Sequence, residues 1–497
     1  MRRENRWFFT TLILFLALSA IPEPSASAEP LYLGSGAKAG EIACDSAIVH
    51  VRLTAVPAQN EQGLIPGREG QARLRYGSDR ELEGAESTGW QVARAGEDYS
   101  TQFRLSGLES DCRHFYVVEY RLDENAETRR SLPYSFLTAP APESRSPVKF
   151  QVTTGQDYRG ADTYLAMAAR KPAFLVSTGD NVYYDGPPKA RDVLGAYGAY
   201  QQMYGLPPMK EYFRHVGGYF EKDDHDYRFN DADRWQQFKG GDGGKRRGKR
   251  PAAAEKWLTH EEGIKVFKQV FPMSDPTYRS FRWGKGVQIW LMEGRDYRSP
   301  NSMPDGPDKT LWGRRQLDWV KHTLLESDAD WRVLISPTPI IGPDRVTKTD
   351  NHANPKGFWT EGQGFLDWIK NQGLSNLVLV CGDRHWQYHA VDRRKGRRIH
   401  EFSCGPTCDE HTQRVPPIEG PFQGIERPYE ASRGGFLEVT YQSNGALAFE
   451  FFGEDGGPRY RSVFRNPSGA VELGLVRPSR ALATALTGAR PEPASTR

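Results

Sequence analysis

From about residue 40 to residue 140, short apolar runs are broken by polar turn residues. "SAIVHVRLTAV", rich in β-branched residues, "EDYSTQFRLSGL", "CRHFYVVEYRLD" and "SLPYSFLTAP" each read as a short strand. Short strands at this spacing predict a small antiparallel sandwich over residues 40–139. The proline-rich stretch "APAPESRSP", Ala139 to Pro147, then marks a boundary.

Beyond it the pattern changes. "VKFQVTTG", "PAFLVSTGD", "VQIWLMEGRD", "WRVLISPTPI" and "SNLVLVCGD" are continuous apolar runs, each ending in a polar cluster. Amphipathic segments lie between them, among them "DTYLAMAARK", "RRQLDWVKHTLLESD" and "GQGFLDWIKNQG". Strands apolar on both faces, alternating with helices, predict an α/β layered fold with both sheet faces covered. This domain is expected over residues 148–465. In such folds ligands gather beyond the carboxyl ends of the strands, where these polar clusters fall.

The two ends of the chain read differently. Arg2, Arg3 and Arg6 precede the apolar run Trp7–Ala20, and a small-x-small site follows at Ala26-Ser27-Ala28. That is the pattern of an export signal over residues 1–28; an uncleaved membrane anchor is the other reading. The pair Arg2-Arg3 matches a twin-arginine signal poorly. No later stretch is long and apolar enough to span a membrane, so the expected location is periplasmic or secreted. Residues 467–497 are expected to be poorly ordered. The glycine- and arginine-rich "FKGGDGGKRRGKRP", Phe238 to Pro251, reads as a solvated loop.

Composition removes one class of function. A net charge of +3 over 497 residues is too small for the basic excess of a nucleic-acid binder, so no specific nucleic-acid readout is expected. Export permits disulfides, and Cys44 with Cys112, and Cys404 with Cys408, are candidate pairs. Cys381 lies in an apolar run and reads as a buried free thiol. "CGPTC" has no second cysteine pair to complete a zinc site.

Three clusters carry candidate chemistry. Asp180 in "STGDNVYYDG" and Asp383 with His385 in "VCGDRHW" each follow a strand and a glycine. The third is "FEKDDHDYRFNDAD", where Asp223, Asp224, Asp226, Asp231 and Asp233 fall within eleven positions around His225. A glycine lets the chain turn sharply and brings the next carboxylate to the strand end. Aspartate and histidine are ligands for hard and borderline cations, and a cation offsets their mutual repulsion. Each cluster alone has a plainer reading as a turn, a core histidine or a solvated loop. A calcium EF-hand fails, because a loop starting at Asp224 places Arg228 and Phe229 at its fifth and sixth positions. No G-x-S-x-G elbow or P-loop occurs in this region.

Taken in order, "GDNVYYDG", "DDHDYRFND", "GRDYRS" and "CGDRHW" resemble the alkaline phosphatase D (PhoD-like) branch of the calcineurin-like metallophosphoesterases. The resemblance spans roughly residues 40–465. "FRLSGLESDCRHFYVVEYR" also resembles a fibronectin type III-like module. The implied fold is a four-layer αββα sandwich after a small all-β domain. The implied activity is hydrolysis of phosphomonoesters and/or phosphodiesters, in small molecules or polymers, by a hydroxide held between two or more metal ions. The resemblance implies Asp180 as bridging ligand, with Tyr183, Asp224, Asp383 and His385 as further ligands. It implies His225 as the group that protonates the leaving oxygen. Arg295 suits a phosphate clamp, since a guanidinium matches two phosphoryl oxygens. Asp157, Asn230, Asp350 and His352 are further candidates at the site. Asp223 and Asp226 are candidates for orienting His225, and Asp231 and Asp233 read as a solvated turn.

The sequence also departs from the family pattern. Gly155 stands where the family carries an iron-binding cysteine, and Glu293 where an aspartate is common. The resemblance implies calcium and/or iron; the missing thiolate puts the iron in question, and leaves either Asp157 as a replacement oxygen donor or a different metal pair. Two rival readings follow: a hydrolase of another ester class, and a non-catalytic cell-surface binding protein that keeps the fold. The sequence leaves the oligomeric state open.

Overall fold

The computed structural model describes residues 30–236, 256–394, 396 and 398–465. The expected signal, the glycine- and arginine-rich loop and the tail lie outside these residues. No helix among the described residues is long and apolar enough to cross a membrane.

Two large sheets organise the chain. The first has nine strands in the order Pro458–Phe464, Leu447–Phe452, Phe436–Tyr441, Val148–Thr153, Phe174–Thr178, Gly217–Glu221, Ala37–Gly40, Ser46–Arg52 and Ser100–Ser106. Its middle strands Val148–Thr153, Phe174–Thr178 and Gly217–Glu221 run parallel. The second has seven strands, with Val287–Leu291, Trp331–Ser336, Leu377–Cys381 and Ile399–Ser403 parallel to one another.

The apolar runs explain the layering. In "LVLVC", Val378 and Val380 join an interior core with Phe150, Val152, Val176, Ile289 and Val333 from both sheets. Leu377, Leu379 and Cys381 alternate with them and pack with Val320 and Leu324 of helix α5 (Gly313–Glu326) and Phe365 and Ile369 of α6 (Trp359–Gln372). The first sheet is covered in the same way by α1 (Thr163–Ala169), α2 (Val193–Tyr204), α3 (Pro207–His215) and α4 (His260–Val270). Local signals set the helix ends. Asp192 accepts from Gly195 N–H at the start of α2, and Thr259 with Glu262 forms a capping box on α4. Gly373, at φ +71°, ends α6.

The four strands expected before residue 140 all form, but they divide. Arg113–Arg121 and Tyr134–Leu137 join Gly70–Gly77, a strand not among the four, in a separate six-stranded sheet. Ser46–Arg52 and Ser100–Ser106 instead extend the nine-stranded sheet, through the parallel pairing of Gly40 with Gly218. Both positions need glycine. A Cβ on Gly40 would stand 2.4 Å from Gly218 O.

The disulfide expectation fails, since all five cysteines are free thiols. Cys404 and Cys408 face different surroundings. The Cys404 thiol lies 3.8 Å from Cys381 O in the core, whereas Cys408 sits by Gly160 at the start of a 3₁₀ turn. The Cys112 thiol turns to Arg113 O, and Cys44 packs against the interior core.

Candidate metal centre

The site is built where strand ends from both large sheets meet. Phe174–Thr178 and Leu377–Cys381 each run into a Gly-Asp pair, and both aspartates are left-handed: φ is +51° at Asp180 and +59° at Asp383. Holding a non-glycine residue there costs of order 1 kcal/mol, and such strain collects at functional positions. The preceding glycines allow the approach. A Cβ on Gly179 would meet Asp223 N at 2.7 Å, and one on Gly382 would meet Thr178 O at 2.5 Å. A third strand, Gly217–Glu221, delivers Asp223, Asp224 and His225 beside them.

Among the described residues, three groups of donors lie close enough to share a cation: Asp180, Asp224 and His225; Asp223, Asp224 and Asp383; Asp224, Asp231 and Asp350. Asp224 belongs to all three, so it is the hub of the site. Burial opposes its charge, but His225, Arg295 and Lys348 hold its carboxyl well below the usual range. Asp180 is pushed up to about 6 by burial, and the Asp224 charge adds to that. The donor set fits a cation. Asp180 Oδ1 and Asp224 Oδ1 are buried and accept no hydrogen bond, which is costly for a carboxylate unless a cation meets it.

Tyr183 and His385 stand on the Asp180 side. The Tyr183 hydroxyl donates to Asp180 Oδ2 at 3.1 Å and lies 3.1 Å from His385 Nε2. His385 Nε2 is also 3.5 Å from Asp180 Oδ2, and its Nδ1 is 3.0 Å from His411 O. Burial and the nearby His225 charge lower His385 to about 3, so its nitrogen is free to act as a ligand. A side chain at Gly155 would start 3.4 Å from His385 Nε2, and Pro406 crowds that position at 3.1 Å.

His225 is held as an acid. Its Nδ1 lies 2.6 Å from Asp185 Oδ1, and its Nε2 lies 4.0 Å from Asp224 Oδ2. Burial works against the imidazolium, but Asp224, Asp180 and the hydrogen bond to Asp185 outweigh it and raise His225 well above its ordinary value. Asp226 does not touch His225. It accepts from Asn181 N–H at 3.0 Å and from Asp223 N–H at 2.7 Å, and so ties two strand ends together.

Several expected roles change. Arg295 cannot clamp phosphate, because its guanidinium is wholly buried and already engaged. Nε donates to Asp223 Oδ1 at 2.7 Å, Nη1 to Ala232 O at 3.0 Å and Nη2 to Asp350 Oδ2 at 3.2 Å. It is the internal counter-charge of the acids. Arg295→Met is expected to lower the stability to urea by about 3–5 kcal/mol, because Asp223 and Asp350 then lose their buried partner.

His352 lies apart, with Nε2 2.8 Å from Glu361 Oε1 and its ring against Trp312. Asp157 is occupied by Arg159, through pairs at 2.7 and 2.8 Å, which leaves it poorly placed as a replacement donor. Asn230 is exposed, and its backbone N–H donates to Asp185 Oδ2 at 2.9 Å. Asp233 is buried rather than solvated, and accepts from Asn301 N–H at 2.7 Å. Asp231 pairs with Lys348 and joins the acid cluster.

The structure adds residues that sequence reasoning missed. Asp185 lay inside the quoted "GDNVYYDG", and its position two residues after Tyr183 was the available signal. Lys348 and His411 had none. His411 packs against Tyr183 and His385 with ring centroids 4.8 and 4.3 Å away, and its Nδ1 is 3.2 Å from Gly155 O.

The sequence model of the PhoD-like phosphatase family matches residues 150–425, more than half of the chain. The chain belongs to that family. The matched span carries Asp180, Tyr183, Asp224, His225, Asp383 and His385. A curated relative, alkaline phosphatase D of Bacillus subtilis (strain 168), is 22% identical over 407 residues. That alignment covers 73% of this chain and 65% of the relative, so the chain spans about two thirds of the relative's length at most. Among solved structures, PhoD superposes with a TM-score of 0.70 at 17% identity, covering 91% of this chain and 93% of that one. A purple acid phosphatase from yellow lupin (Lupinus luteus) seeds gives 0.55 at 12% identity, covering 88% and 75%. At these identities the two structures speak to the fold: this PhoD-like chain shares the mixed α/β, multi-sheet architecture of both.

Proposed function

We propose that this PhoD-like protein is an exported, metal-dependent hydrolase of phosphomonoesters and/or phosphodiesters. One observation carries the reading: strand ends from two sheets bring Asp180 and Asp383 to either side of Asp224, with Asp180 Oδ1 buried and accepting no hydrogen bond. Asp180, Tyr183, Asp224, Asp383 and His385 are the residues to hold calcium and/or iron. Bound cations would acidify a water for attack on phosphorus and offset the charge on the phosphoryl oxygens. The chain's own share is protonation. Asp185 orients His225 and keeps its Nε2 proton directed into the site, where it serves the leaving oxygen.

In this reading residues 148–465 form a four-layer αββα catalytic domain, and Ser46–Arg52 and Ser100–Ser106 lengthen its first sheet, so residues 40–139 are not a separate fibronectin type III-like module. Residues 1–28 are the export signal. Hydrolysis of another ester class on the same residues remains distinguishable by assay.

The test is elemental analysis of the purified chain together with chromogenic phosphate mono- and diester assays. Two or more metal equivalents are expected, with turnover that a chelator removes and added calcium or iron restores. A protein that holds no metal and turns over neither ester overturns the reading.

A further inference from the structure

A second polar site lies on the nine-stranded sheet, away from the acids. Ala37–Gly40, Ser46–Arg52 and Ser100–Ser106 place Ala39, Val49, Val51 and Phe103 in the interior core. The opposite face therefore carries Lys38, His50, Arg52, Gln102 and Ser100, with Lys38 paired to His50 and His50 to Gln102 across the strands. Alternation of this kind normally leaves the polar face to water. Here α2 and the end of α4 cover it, so each polar group must find a partner.

Most do. Arg52 makes a two-pronged pair with Asp98 at 2.8 and 2.9 Å and donates to Ile65 O at 2.7 Å. Gln102 donates to Lys268 O at 3.1 Å and Phe271 O at 3.2 Å. His50 Nε2 lies 2.9 Å from Gln269 O. Three groups are left over. His50 Nδ1 and Tyr197 Oη have no hydrogen-bond partner, although their residues are only 3% and 5% exposed. Among the described residues Lys38 has no carboxylate in salt-bridge reach. Its ammonium faces the Tyr204 and Phe271 rings at 5.3 and 6.0 Å.

These groups line one small cavity of about 30 Å³, together with Arg52 and Asp98. Arg52 and Asp98 cancel, so Lys38 leaves a charge of +1 at the cavity wall. Burial, reinforced by Arg52, lowers Lys38 to about 8, which still leaves the ammonium mostly protonated at neutral pH. A site needs roughly 10–15 Å³ for one water, so this one holds about two waters or one halide. A phosphate, with five heavy atoms, does not fit.

We propose that this cavity binds a single halide-sized anion, held by the Lys38 ammonium with the Tyr197 hydroxyl as a donor. The anion supplies the charge that Lys38 lacks and ties the first strands to α2. The site is independent of the reaction proposed above, so either can fail without the other.

Crystals of the full chain grown in sodium bromide are expected to show an anomalous peak within hydrogen-bond distance of Lys38 Nζ. The thermal midpoint should rise saturably with chloride by about 2 °C when gluconate keeps the ionic strength fixed. Lys38→Met should abolish both the peak and the rise. Tyr197→Phe, which keeps the packing, should weaken both and serves if Lys38→Met does not fold. Water in place of bromide, or an unchanged chloride response in the variants, overturns the proposal.

Discussion

Asp180→Asn is expected to lower phosphoester turnover by at least ~10³-fold and to reduce the metal content of the purified protein. The substitution keeps the shape of the side chain and removes a charge. Asp180 Oδ1 is buried without a partner, and Oδ2 is shared by Tyr183 and His385, so the carboxylate has no structural hydrogen bond that only it could accept. Its charge is what a cation would use. Metal ions supply several kcal/mol of transition-state stabilisation, and each 1.36 kcal/mol is tenfold in rate. Stability should not suffer. Burial and the Asp224 charge already work against ionised Asp180, so a neutral residue relieves repulsion in chelator-treated protein. Elemental analysis, steady-state assay and thermal unfolding check the three parts. Parent-level turnover with parent-level metal would remove Asp180 from the site.

His225→Ala is expected to cost ~10²–10⁴-fold in kcat while the metal content stays close to the parent's. The imidazole touches Asp185 through Nδ1 and stands 4.0 Å from Asp224 Oδ2 through Nε2. The other carboxylates keep their own contacts when it is removed. Substrates separate the proton-transfer role from a structural one. An ester with a good leaving group needs little protonation, so its loss should be much smaller than that of an alkyl ester. Equal losses for both would show that His225 serves packing or metal retention. Asp185→Asn should reproduce the same leaving-group pattern more weakly, because it disturbs the orientation of His225 and leaves the ring in place.

The layered core and the position of the chemistry were legible because they follow from periodicity. "LVLVC" and "PAFLV" are apolar at every position, and only a strand covered on both faces buries such a run completely. Gly179-Asp180 and Gly382-Asp383 were legible for a related reason: a strand that ends in glycine turns within one residue. The run from Asp223 to Asp233 was only partly legible. The resemblance singled out Asp224 and His225, but nothing in the sequence showed that Asp233 would be buried on Asn301 N–H or that Asp231 would meet Lys348. Arg295 misled for the same reason. An arginine beside an acid cluster looks the same in sequence whether it faces a ligand or three buried carboxylates.

The sequence by itself determined the local elements: which segments form strands, where they end, and which acids stand at those ends. These depend on neighbours a few residues apart, through side-chain alternation and backbone freedom. Only the tertiary structure decided which ends meet. Asp180 and Asp383 lie in different sheets, joined where Gly382 packs on Thr178 O, and Asp224 became the hub because a third strand ends between them. The tertiary structure also decided which charges became counter-ions. Whether Arg295, Lys348 or Lys38 faces water, a carboxylate or a cavity is set by what packs over it, and that comes from residues far away along the chain.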